Sequence, residues 1–532
     1  MLLEGFEPPT TVPKTVVISI SPQERQLCYN TVITMNEQAL KQGKYDIPEP
    51  VNKVLTTLQN KGFEGFLVGG CVRDLFLRKE PKDWDITTNA TPEEIQDIFP
   101  ESFYENDFGT VGVKTEEENP NLKVVEITPY RLESKYSDYR HPDEIQFSKN
   151  LEDDLARRDF TMNAIALNPY EKDISKQIID PFKGQEDIKK KVIKAVGEAK
   201  KRFEEDALRI MRAIRFSAEL SFAIDSETLE ATELHKELLQ HVSRERIRDE
   251  FVKLLLSENP LSGMAFLQKT DVLKYVSKDL QGAVGVSQET SAHKYDVFEH
   301  SIRALQHAAD KGYSLELRLA ALFHDIAKPA TKRMTPAGKA TFFGHEVVGA
   351  KITRETLKDL RFSRETSQKV VTLVRWHMFF SDPDEITLSA VRRIIAKVGK
   401  ENIWDLMDLR KCDRIGTGRP KEESYRFRKY QSMVEEALRD PVSIGMMKIN
   451  GTILMDLGIE KGPKIGFILH ALFDEVLEDP KNNEEMFLVK RAKELNNLAF
   501  EELKKLGLKG RSRLQEEDDK EIEELRKKHH VT

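Results

Sequence analysis

A strand, a glycine pair and a helix in close succession constrain this chain more than any other stretch. The apolar residues 66–68 predict a strand that leads directly into Gly69 and Gly70, and a helix that carries Arg73 follows. Two glycines after a strand allow the backbone to approach a phosphate closely. The N-terminus of the following helix favours the negative charge of that phosphate. The stretch therefore predicts a phosphate-binding turn.

Two carboxylates follow on alternate residues. Asp83 and Asp85 precede the strand-like run 86–88. Residues i and i+2 of a strand point to the same face, so the two carboxylates are predicted to lie side by side. Such a pair suits Mg²⁺, which prefers oxygen ligands and often a substrate phosphate. Each feature alone is typical of an ordinary turn. Together they predict a metal-dependent phosphoryl-transfer site, with Asp83 and Asp85 as its catalytic ligands.

The sequences GGCVRD and DWDITTNATPEE resemble the head domain of class II tRNA nucleotidyltransferases and bacterial poly(A) polymerases, within the DNA polymerase β-like superfamily. Further segments match motifs of that family in the family's order. They are VVEITPYR at 124–131, RRDFTMNA at 157–164, DPFKG at 180–184, EDALR at 205–209 and SRERI at 243–247. The resemblance covers roughly residues 60 to 260. It implies an α/β head with a small mixed sheet and helices, followed by an all-α neck and body.

The resemblance also assigns roles to individual residues. It implies that Gly69, Gly70 and Arg73 organise the triphosphate, and that Asp206 and Arg209 read the base edge of CTP or ATP. Arginine offers donors in a fixed fork and aspartate offers acceptors, which suits that reading. The candidate nucleotide-binding residues are Gly69, Gly70, Arg73, Arg157, Asp159, Glu205, Asp206, Arg209 and Arg212.

Ordinary helix chemistry is an alternative for part of this set. Residues 203–216 have the spacing of one amphipathic helix, on which Asp206, Arg209 and Arg212 recur along one polar side. Such a row is more commonly a salt-bridged surface face than a binding site.

Two other features have a plain structural alternative. Arg157 and Asp159 would form a surface ion pair before a buried helix, which the apolar residues of 160–167 predict. Glu126, on the strand expected beside the carboxylates, is a candidate third acidic group, although many strand glutamates only face solvent.

The middle third carries a second set of metal-binding residue types. An adjacent His324–Asp325 pair ends an apolar helix and is accompanied by further histidines and a distant aspartate. A single histidine on an apolar helix is more often a satisfied core residue, but this order resembles the HD phosphohydrolase superfamily. The resemblance implies six ligands: His300, His324, Asp325, His345, His377 and Asp413. Such a two-metal site would hold divalent Mn, Ni, Fe or Mg and activate water against a phosphoester.

Two residues near this set have an open role. His293 is an extra histidine, for which a helix-start or surface role is favoured. Lys328 would meet a substrate phosphate, or would only stabilise the C-terminal end of a helix.

The polar segment 131–150 is predicted to be irregular. It resembles the flexible loop with which family members switch from C addition to A addition, and enzymes that add only the two cytidines tend to lack it. His141 stands where the family commonly carries a second arginine. The segment argues against a CC-only enzyme and leaves an A-only enzyme open.

The patterns divide the chain into six predicted segments. They are an extension at 1–47, the head at 48–180, a helical neck and body at 181–284, an all-α HD domain at 285–415, a helical tRNA-binding domain at 416–505 and a charged helical tail at 506–532. A chain of 532 residues is long enough for several domains of ~100–200 residues each.

Bulk composition restricts where RNA would bind and where the protein would reside. The net charge of −7 argues against a uniformly basic surface, so a local basic face is needed. The lysines of 189–201 and Arg202 are candidates, with a solvated helix as the alternative. Three widely spaced cysteines predict neither a zinc site nor a disulfide framework, and a cytoplasmic location is expected. We expect neither a membrane span nor a signal peptide.

These features predict template-independent addition or repair of the 3′-terminal CCA of tRNA. The expected partners are the tRNA 3′ acceptor end, CTP and ATP, with Mg²⁺ at the first site and an additional HD phosphohydrolase activity. One alternative is an A-adding tRNA nucleotidyltransferase or a poly(A) polymerase, although the latter would be expected to have a basic tail and no HD domain. A second alternative is an HD hydrolase of cyclic nucleotides or other phosphoesters, in which the head only binds a nucleotide.

Overall fold

A computed structural model describes residues 45–105, 109–134, 144–173, 176–288, 294–336, 340–379 and 382–510. These residues form two compact units. The first comprises the described residues up to 133 together with 145–190, and the second comprises those from 191 onward with residues 134 and 144. The predictions for His141, for His293, for nearly all of the N-terminal extension and for most of the charged tail lie outside the described residues.

The first unit is built on a mixed seven-stranded sheet. The strands of this part of the chain are β1 (Phe66–Val68), β2 (Asp85–Thr88), β3 (Ser102–Tyr104), β4 (Val111–Lys114), β5 (Val124–Pro129), β6 (Arg131–Ser134), β7 (Glu144–Phe147), β8 (Ala166–Leu167) and β9 (Ile178–Ile179). The order across the sheet is β3-β4-β5-β2-β1-β8-β9. β2 and β5 run parallel, and the other neighbours run antiparallel. The small mixed sheet predicted for the head is confirmed.

Helices accompany this sheet, and local sequence sets their ends. They are Glu49–Asn60, Gly70–Phe76, Pro92–Ile98, Leu151–Ala156 and Gly184–Lys190, with a 3-10 turn at Thr161–Asn163. The helix that begins at Pro92 has a complete capping box, because Thr91 and Glu94 each accept a hydrogen bond from the other's backbone N–H. Proline suits this first position, where its missing N–H would have no helical partner.

The buried face of the sheet holds the predicted site in place. Leu67, Ile86 and Ile127, from β1, β2 and β5, are fully buried. Leu67 pairs with Ile86 in antiparallel register, which brings the end of β1 beside the start of β2. The glycine pair and Asp85 therefore meet at one end of these two central strands.

Three predictions for this unit are wrong in detail. β2 begins at Asp85, so Asp83 lies in a bend before the strand rather than on its face. Pro81 precedes this bend, and its backbone nitrogen has no hydrogen to donate to a neighbouring strand. Residues 160–167 form a 3-10 turn and β8 instead of a helix, because pairing of β8 with β1 and β9 overrides their spacing. Segment 131–150, predicted to be irregular, contains β6 and β7 among its described residues, and the helix Leu151–Ala156 follows it directly.

The second unit is almost entirely helical, as predicted. Its helices are Ala199–Glu205, Leu208–Leu220, Ser226–His235, Arg244–Leu256, Pro260–Lys269, Leu273–Val276, Lys278–Ala283, Val297–Asp310, Leu315–Phe323, Lys328–Thr331, His345–Asp359, Arg364–Trp376, Leu388–Val398, Ile403–Gly416, Tyr425–Ala437, Gly451–Asp456, Pro463–Glu478, Glu485–Asn496 and Phe500–Gly510. Two short strand pairs interrupt them: β10 (Val192–Ile193) with β11 (Ala223–Ile224), and β12 (Arg333–Met334) with β13 (Ala340–Thr341). Among the helices of the described ranges, none has the length and apolarity that a membrane crossing requires.

The single helix predicted for residues 203–216 is two helices. One ends at Glu205 and the next begins at Leu208, with Asp206 in an extended conformation between them. The Asp206 side chain accepts a hydrogen bond from the backbone N–H of Leu208 at 3.0 Å. A short carboxylate that bonds its own backbone competes with helix continuation, and this frees Asp206 from the predicted helix face.

Candidate functional sites

Three carboxylates gather at one end of the central strands of the head sheet. Asp85 and Glu126 are register partners on the parallel strands β2 and β5. The pKa of Glu126 is raised to about 7, first by burial and then by the charges of Asp85, Glu105 and Asp83. The raised pKa of Glu126 therefore reflects burial and the negative charge of the neighbouring carboxylates. Asp83, Asp85 and Glu126 therefore fit a divalent metal, which would relieve this repulsion.

The head carboxylates are more loosely arranged than a closed metal cage. Within the described ranges, clusters of three or more ligand atoms within 4.8 Å of one another occur only in the second unit. An open arrangement suits Mg²⁺, which usually keeps waters and substrate phosphates among its ligands.

Gly69 brings the backbone against this carboxylate site. Its φ of 81° lies in the left-handed region, which glycine adopts without strain. A Cβ at this position would lie 3.1 Å from Asp85 Oδ2 and 3.1 Å from Arg158 Nη1. The missing side chain thus leaves room beside both an acid and a guanidinium, as a phosphate-binding turn requires.

The predicted phosphate-organising residues form one hydrogen-bonded group. The Arg73 guanidinium is buried and donates to Asn163 Oδ1 at 3.0 Å and to Asp74 Oδ1 at 2.9 Å. Asp159 Oδ1 accepts from Asn163 Nδ2 at 3.1 Å. Asn163 therefore links Arg73 to Asp159, a connection that the sequence motif alone did not reveal.

A buried carboxylate that sequence reasoning missed holds the arginine pair. Asp154 is fully buried and accepts from Arg157 Nε at 2.9 Å and from Arg158 Nη2 at 3.1 Å. Burial alone would raise the pKa of Asp154, but the two arginines outweigh it and lower that pKa. The buried Nε of Arg158 has no hydrogen-bond partner among the described residues. Arg158, beside Gly69, is therefore able to bind a further anion.

The predicted base-reading residues lie in the second unit, where the helix from Leu208 begins. Arg209 is buried, and its Nη1 donates to Glu205 Oε2 at 2.7 Å and to the Arg202 carbonyl at 3.0 Å. Arg246 donates to both oxygens of Asp206, at 2.8 and 3.2 Å. Glu205 and Arg246 thereby fix the side chains of Arg209 and Asp206.

The remaining residues of that set are less tightly held. Arg212 Nη1 lies 3.8 Å from Glu250 Oε1, and its guanidinium lies 5.3 Å from the centre of the Phe216 ring. Arg246 itself belongs to the motif SRERI, so its position in a known motif was the available signal for its role.

The six predicted HD ligands come together in the second unit. They form two groups whose ligand atoms lie within 4.8 Å of one another: His300, His324 and Asp413 in one, and Asp325, His345 and His377 in the other. All but Asp413 are almost fully buried. They come from the four helices that begin at Val297, Leu315, Arg364 and Ile403, or directly follow one of them, and from the start of the helix at His345.

Asp325 lies between the two groups. Its Oδ2 is 3.3 Å from Nε2 of both His300 and His324, and its Oδ1 is 3.3 Å from His345 Nε2 and 3.8 Å from His377 Nε2. Asp325 would therefore help each of the two groups to hold a divalent ion.

Hydrogen bonds with backbone carbonyls orient the imidazoles. The Nδ1 atoms of His324, His345 and His377 lie 2.9, 2.8 and 2.7 Å from the carbonyls of Ala321, Phe342 and Val374. An Nδ1–H that donates to a carbonyl leaves Nε2 with its lone pair for a metal. The donor set of four histidines and two carboxylates fits a pair of divalent transition-metal ions.

The electrostatics of the ligands reflect their crowding. The His300 pKa is about 9: burial lowers it, and the hydrogen bonds and charges of Asp325 and Asp413 more than compensate. The pKa of His377 falls well below its usual value through burial and the neighbouring His345 and His324. The Asp325 pKa is also held far below its ordinary value: burial raises it, and Lys328 and the histidines lower it by more.

Lys328 is turned toward a ligand. Its Nζ lies 2.5 Å from Asp325 Oδ2 and 2.7 Å from Gln288 Oε1, and the side chain is buried. Because Lys328 contacts the candidate ligand Asp325, its role is not limited to stabilising the end of a helix.

A cavity of about 700 Å³ opens onto these ligands. Its charged lining residues are Asp325, Lys328, Glu346, Arg410, Asp413, Arg414, Arg419 and Glu422. Burial lowers the pKa of Arg414, and the charges of Arg419 and Arg410 lower it further. The arginines therefore lie close enough to repel one another.

Comparison with known protein families identifies three domains. Residues 65–194 match the poly A polymerase head domain, residues 221–283 match the probable RNA and SrmB-binding site of polymerase A, and residues 297–415 match the HD domain. The head site and the six HD ligands lie within these matches. The predicted base-reading residues 205–212 and the cavity-lining residues beyond 415 lie outside them.

Curated relatives with similar sequences include CCA-adding enzymes. That of Lactobacillus helveticus is 48% identical over 214 residues, 40% of this chain and 51% of the relative. That of Lactococcus lactis is 47% identical over 232 residues, 43% of this chain and 56% of the relative. The chain thus spans about half the length of the curated relatives it matches.

Solved structures are similar over a longer part of the chain. The Bacillus stearothermophilus CCA-adding enzyme in complex with CTP has a TM-score of 0.62 and 26% identity, covering 85% of this chain and 98% of that one. A Thermotoga maritima CCA-adding enzyme complexed with tRNA has a TM-score of 0.50 and 19% identity, covering 86% of this chain and 98% of that one. The second likeness concerns the fold alone.

Proposed function

We propose that this chain, which joins a poly A polymerase head domain to an HD domain, adds or repairs the 3′-terminal CCA of tRNA. It would use CTP and ATP and release pyrophosphate. The observation that carries this proposal is the meeting of Gly69, Asp85 and Glu126 at one end of the central strands of the head sheet. The similarity to CCA-adding enzymes supports it.

In the proposed reaction, Asp83 and Asp85 hold Mg²⁺, with Glu126 as a third acidic group. Bound Mg²⁺ would supply activation of the tRNA 3′-hydroxyl and stabilisation of the triphosphate and the leaving pyrophosphate. The backbone at Gly69 and Gly70 lies beside the triphosphate. Arg73, Arg157 and Asp159 would position the triphosphate. The Arg73 guanidinium is itself held by its buried hydrogen bonds to Asn163 and Asp74.

The protein itself selects the base. Asp206 and Arg209 would offer acceptors and donors to the base edge of CTP and ATP, with Glu205 and Arg212 supporting them. The bidentate bond from Arg246 supports this assignment, because it leaves Asp206 one defined orientation. A rigid acceptor discriminates between bases better than a freely rotating one.

The HD site is proposed as a phosphohydrolase that acts on cyclic phosphates or phosphomonoesters at damaged RNA 3′ ends. Its ligands are His300, His324, Asp325, His345, His377 and Asp413, and the ion would be Mn, Ni, Fe or Mg. The position of Asp325 between the two ligand groups and the open cavity support a two-metal hydrolytic site.

The other proposals concern organisation and location. Residues 48–180, 181–284, 285–415 and 416–505 remain our division into head, neck and body, HD domain and tRNA-binding domain. A cytoplasmic location stays a prediction. The A-adding and poly(A)-polymerase alternatives, and a nucleotide-binding head on an HD hydrolase, are less favoured because the similar proteins are CCA-adding enzymes.

The decisive test is the extension of tRNA transcripts that lack CCA or end in C or CC. Purified protein would be incubated with CTP, ATP and Mg²⁺, and the 3′ ends sequenced. Completion of CCA on all three transcripts, followed by a stop, is expected. Extension of the CC transcript alone would indicate an A-adding enzyme, and a long A tail would indicate a poly(A) polymerase.

Paired substitutions separate the two sites. Asp83→Asn with Asp85→Asn should abolish CCA addition and leave phosphoester hydrolysis intact. His324→Ala with Asp325→Asn should do the reverse. If either pair removed both activities, the proposal of two independent sites would be wrong.

A further inference from the structure

One wall of the HD cavity carries an arginine cluster, Arg410, Arg414 and Arg419. The first two lie one turn apart on the helix Ile403–Gly416, and the third follows the end of that helix. Arg410 Nη1 lies 3.6 Å from Oδ2 of the metal-ligand candidate Asp413. Arg410 is therefore engaged at the candidate metal site, unlike the guanidiniums of Arg414 and Arg419.

Arg414 and Arg419 have no carboxylate partner among the described residues. Arg414 donates from Nε to the carbonyl of Lys421 at 2.8 Å, which anchors its guanidinium without neutralising it. Arg419 is exposed at the cavity mouth. Of the nearby acidic lining residues, Asp413 lies 3.6 Å from Arg410 and Glu422 is paired with Lys311 at 2.6 Å. Like charges held together without a counter-charge favour binding of an anion between them.

The charge of the whole cavity also favours binding of an anion. Its carboxylates and its lysine and arginine side chains are equal in number: Asp325, Glu346, Asp413 and Glu422 against Lys328, Arg410, Arg414 and Arg419. Two bound divalent ions would give the cavity a clear positive excess. One phosphate at the metals would remove only part of that excess, so the cavity suits a ligand with more than one phosphate.

The cavity also offers apolar surface for a base. Phe343 and Met378 line it and are 62% and 55% exposed, high values for large apolar side chains. Aromatic and sulfur-containing side chains beside a basic surface are suited to nucleobase stacking. A volume of about 700 Å³ is ample for a nucleotide.

We propose that the HD site binds a substrate with two phosphates, of which only one is cleaved. The metal ligands take the scissile phosphate, and Arg414 with Arg419 take a second phosphate that stays intact. This inference rests on the proposed HD phosphohydrolase function, with an RNA 3′ end that carries a terminal 2′,3′-cyclic phosphate as substrate, and adds a second phosphate-binding position to that site. The water oxygen bonds to phosphorus, one ribose–phosphate P–O bond breaks, and the leaving ribose oxygen takes the proton that the water loses.

The test compares three substrates with the full-length chain and Mn²⁺. They are adenosine 2′,3′-cyclic phosphate, its 5′-phosphorylated form, and the dinucleotide ApA with a terminal 2′,3′-cyclic phosphate. We expect a KM about tenfold lower with a second phosphate, the ratio that one charge-assisted bond provides. A gain with the dinucleotide alone would identify the internucleotide phosphate, and a gain with both would admit any second phosphate. Equal KM values for all three substrates would overturn the proposal.

Substitutions assign the effect to the two arginines. Arg419→Ala and Arg414→Gln should each raise the KM for the two-phosphate substrates and leave that for adenosine 2′,3′-cyclic phosphate unchanged. Arg428→Ala is the matched control, because Arg428 is an exposed arginine on the next helix that does not line the cavity. A parallel loss on all three substrates, or the same loss in the control, would contradict a second phosphate site.

A binding measurement distinguishes this inference from the hydrolase function. If Mn, Ni, Fe and Mg all fail to support cleavage, the proposed hydrolase function is wrong. Binding of the dinucleotide ApA 3′-phosphate by the Mn²⁺-loaded chain would then be compared between wild type and Arg419→Ala. Weaker binding by the variant would still support the second phosphate site, and equal binding would overturn it.

Discussion

Arg246 donates both of its terminal nitrogens to Asp206, at 2.8 and 3.2 Å. The two residues are 40 positions apart: Asp206 lies between two helices, and Arg246 lies on the helix Arg244–Leu256. The fork holds the Asp206 carboxylate in one plane, which turns a residue between two helices into a rigid acceptor. Base selection should therefore depend on Arg246, although it need not touch the nucleotide.

Arg246→Lys should relax base selection. Lysine keeps the charge and loses the planar fork, so Asp206 gains rotational freedom. We expect about a tenfold lower preference for CTP over UTP, the value of one charge-assisted hydrogen bond. Single-nucleotide incorporation into a tRNA transcript that lacks CCA measures this ratio. Arg248→Lys, a half-buried position of the same helix, serves as the control, and an equal change there would contradict the positioning role.

Gly69→Ala should abolish CCA addition. The new Cβ would lie 3.1 Å from Asp85 Oδ2 and Arg158 Nη1, in a backbone conformation that alanine adopts with strain. Gly62→Ala is a matched control, since Gly62 has a φ of 86° and nothing within 4 Å of an added Cβ. Both variants cost roughly 1–2 kcal/mol of backbone strain. Only the first should lose activity; similar activity in both would show that the close approach at Gly69 is unimportant.

Asp154→Asn should destabilise the head in a pH-dependent manner. The folded-state pKa of Asp154 is lowered, so its ion pairs stabilise the fold above the unfolded-state pKa of about 3.9 and lose that effect as pH falls through the folded value. We expect a loss of about 3 kcal/mol at neutral pH and a smaller loss at pH 3. Hydrogen exchange of the β2 amides in the full-length chain measures both. Glu152→Gln, an exposed residue of the same helix, should have little effect at either pH.

His345→Ala should remove one of two HD metal ions. His345 belongs to the group with Asp325 and His377, whereas His300, His324 and Asp413 form the other. Elemental analysis of the purified chain should give about two ions for wild type and about one for the variant, because a two-metal site has separate ligands. Asp325→Asn should reduce the content further, since Asp325 contacts both groups. An unchanged metal content in His345→Ala would contradict the two-ion assignment, and CCA addition should survive in both variants.

The sequence by itself determined the residue types of each site and the order of the elements that carry them. Gly69, Gly70, Asp83 and Asp85 are consecutive features of one strand–turn–helix–strand run, and the six HD residues follow a recognisable order. Both patterns are local or ordered along the chain, so no packing information was needed to find them. The mixed sheet of the head and the helical remainder followed from the same motifs.

Tertiary structure decided what lies across from these residues. The parallel pairing of β2 with β5 places Glu126 beside Asp85, and Arg246 meets Asp206 only because two helices pack. The break at Asp206 likewise depended on a hydrogen bond that helical periodicity does not contain. Arg414 and Arg419, which have no carboxylate partner among the described residues, had no sequence signal as a pair. Contacts between distant residues depend on packing and desolvation, which a linear pattern does not encode.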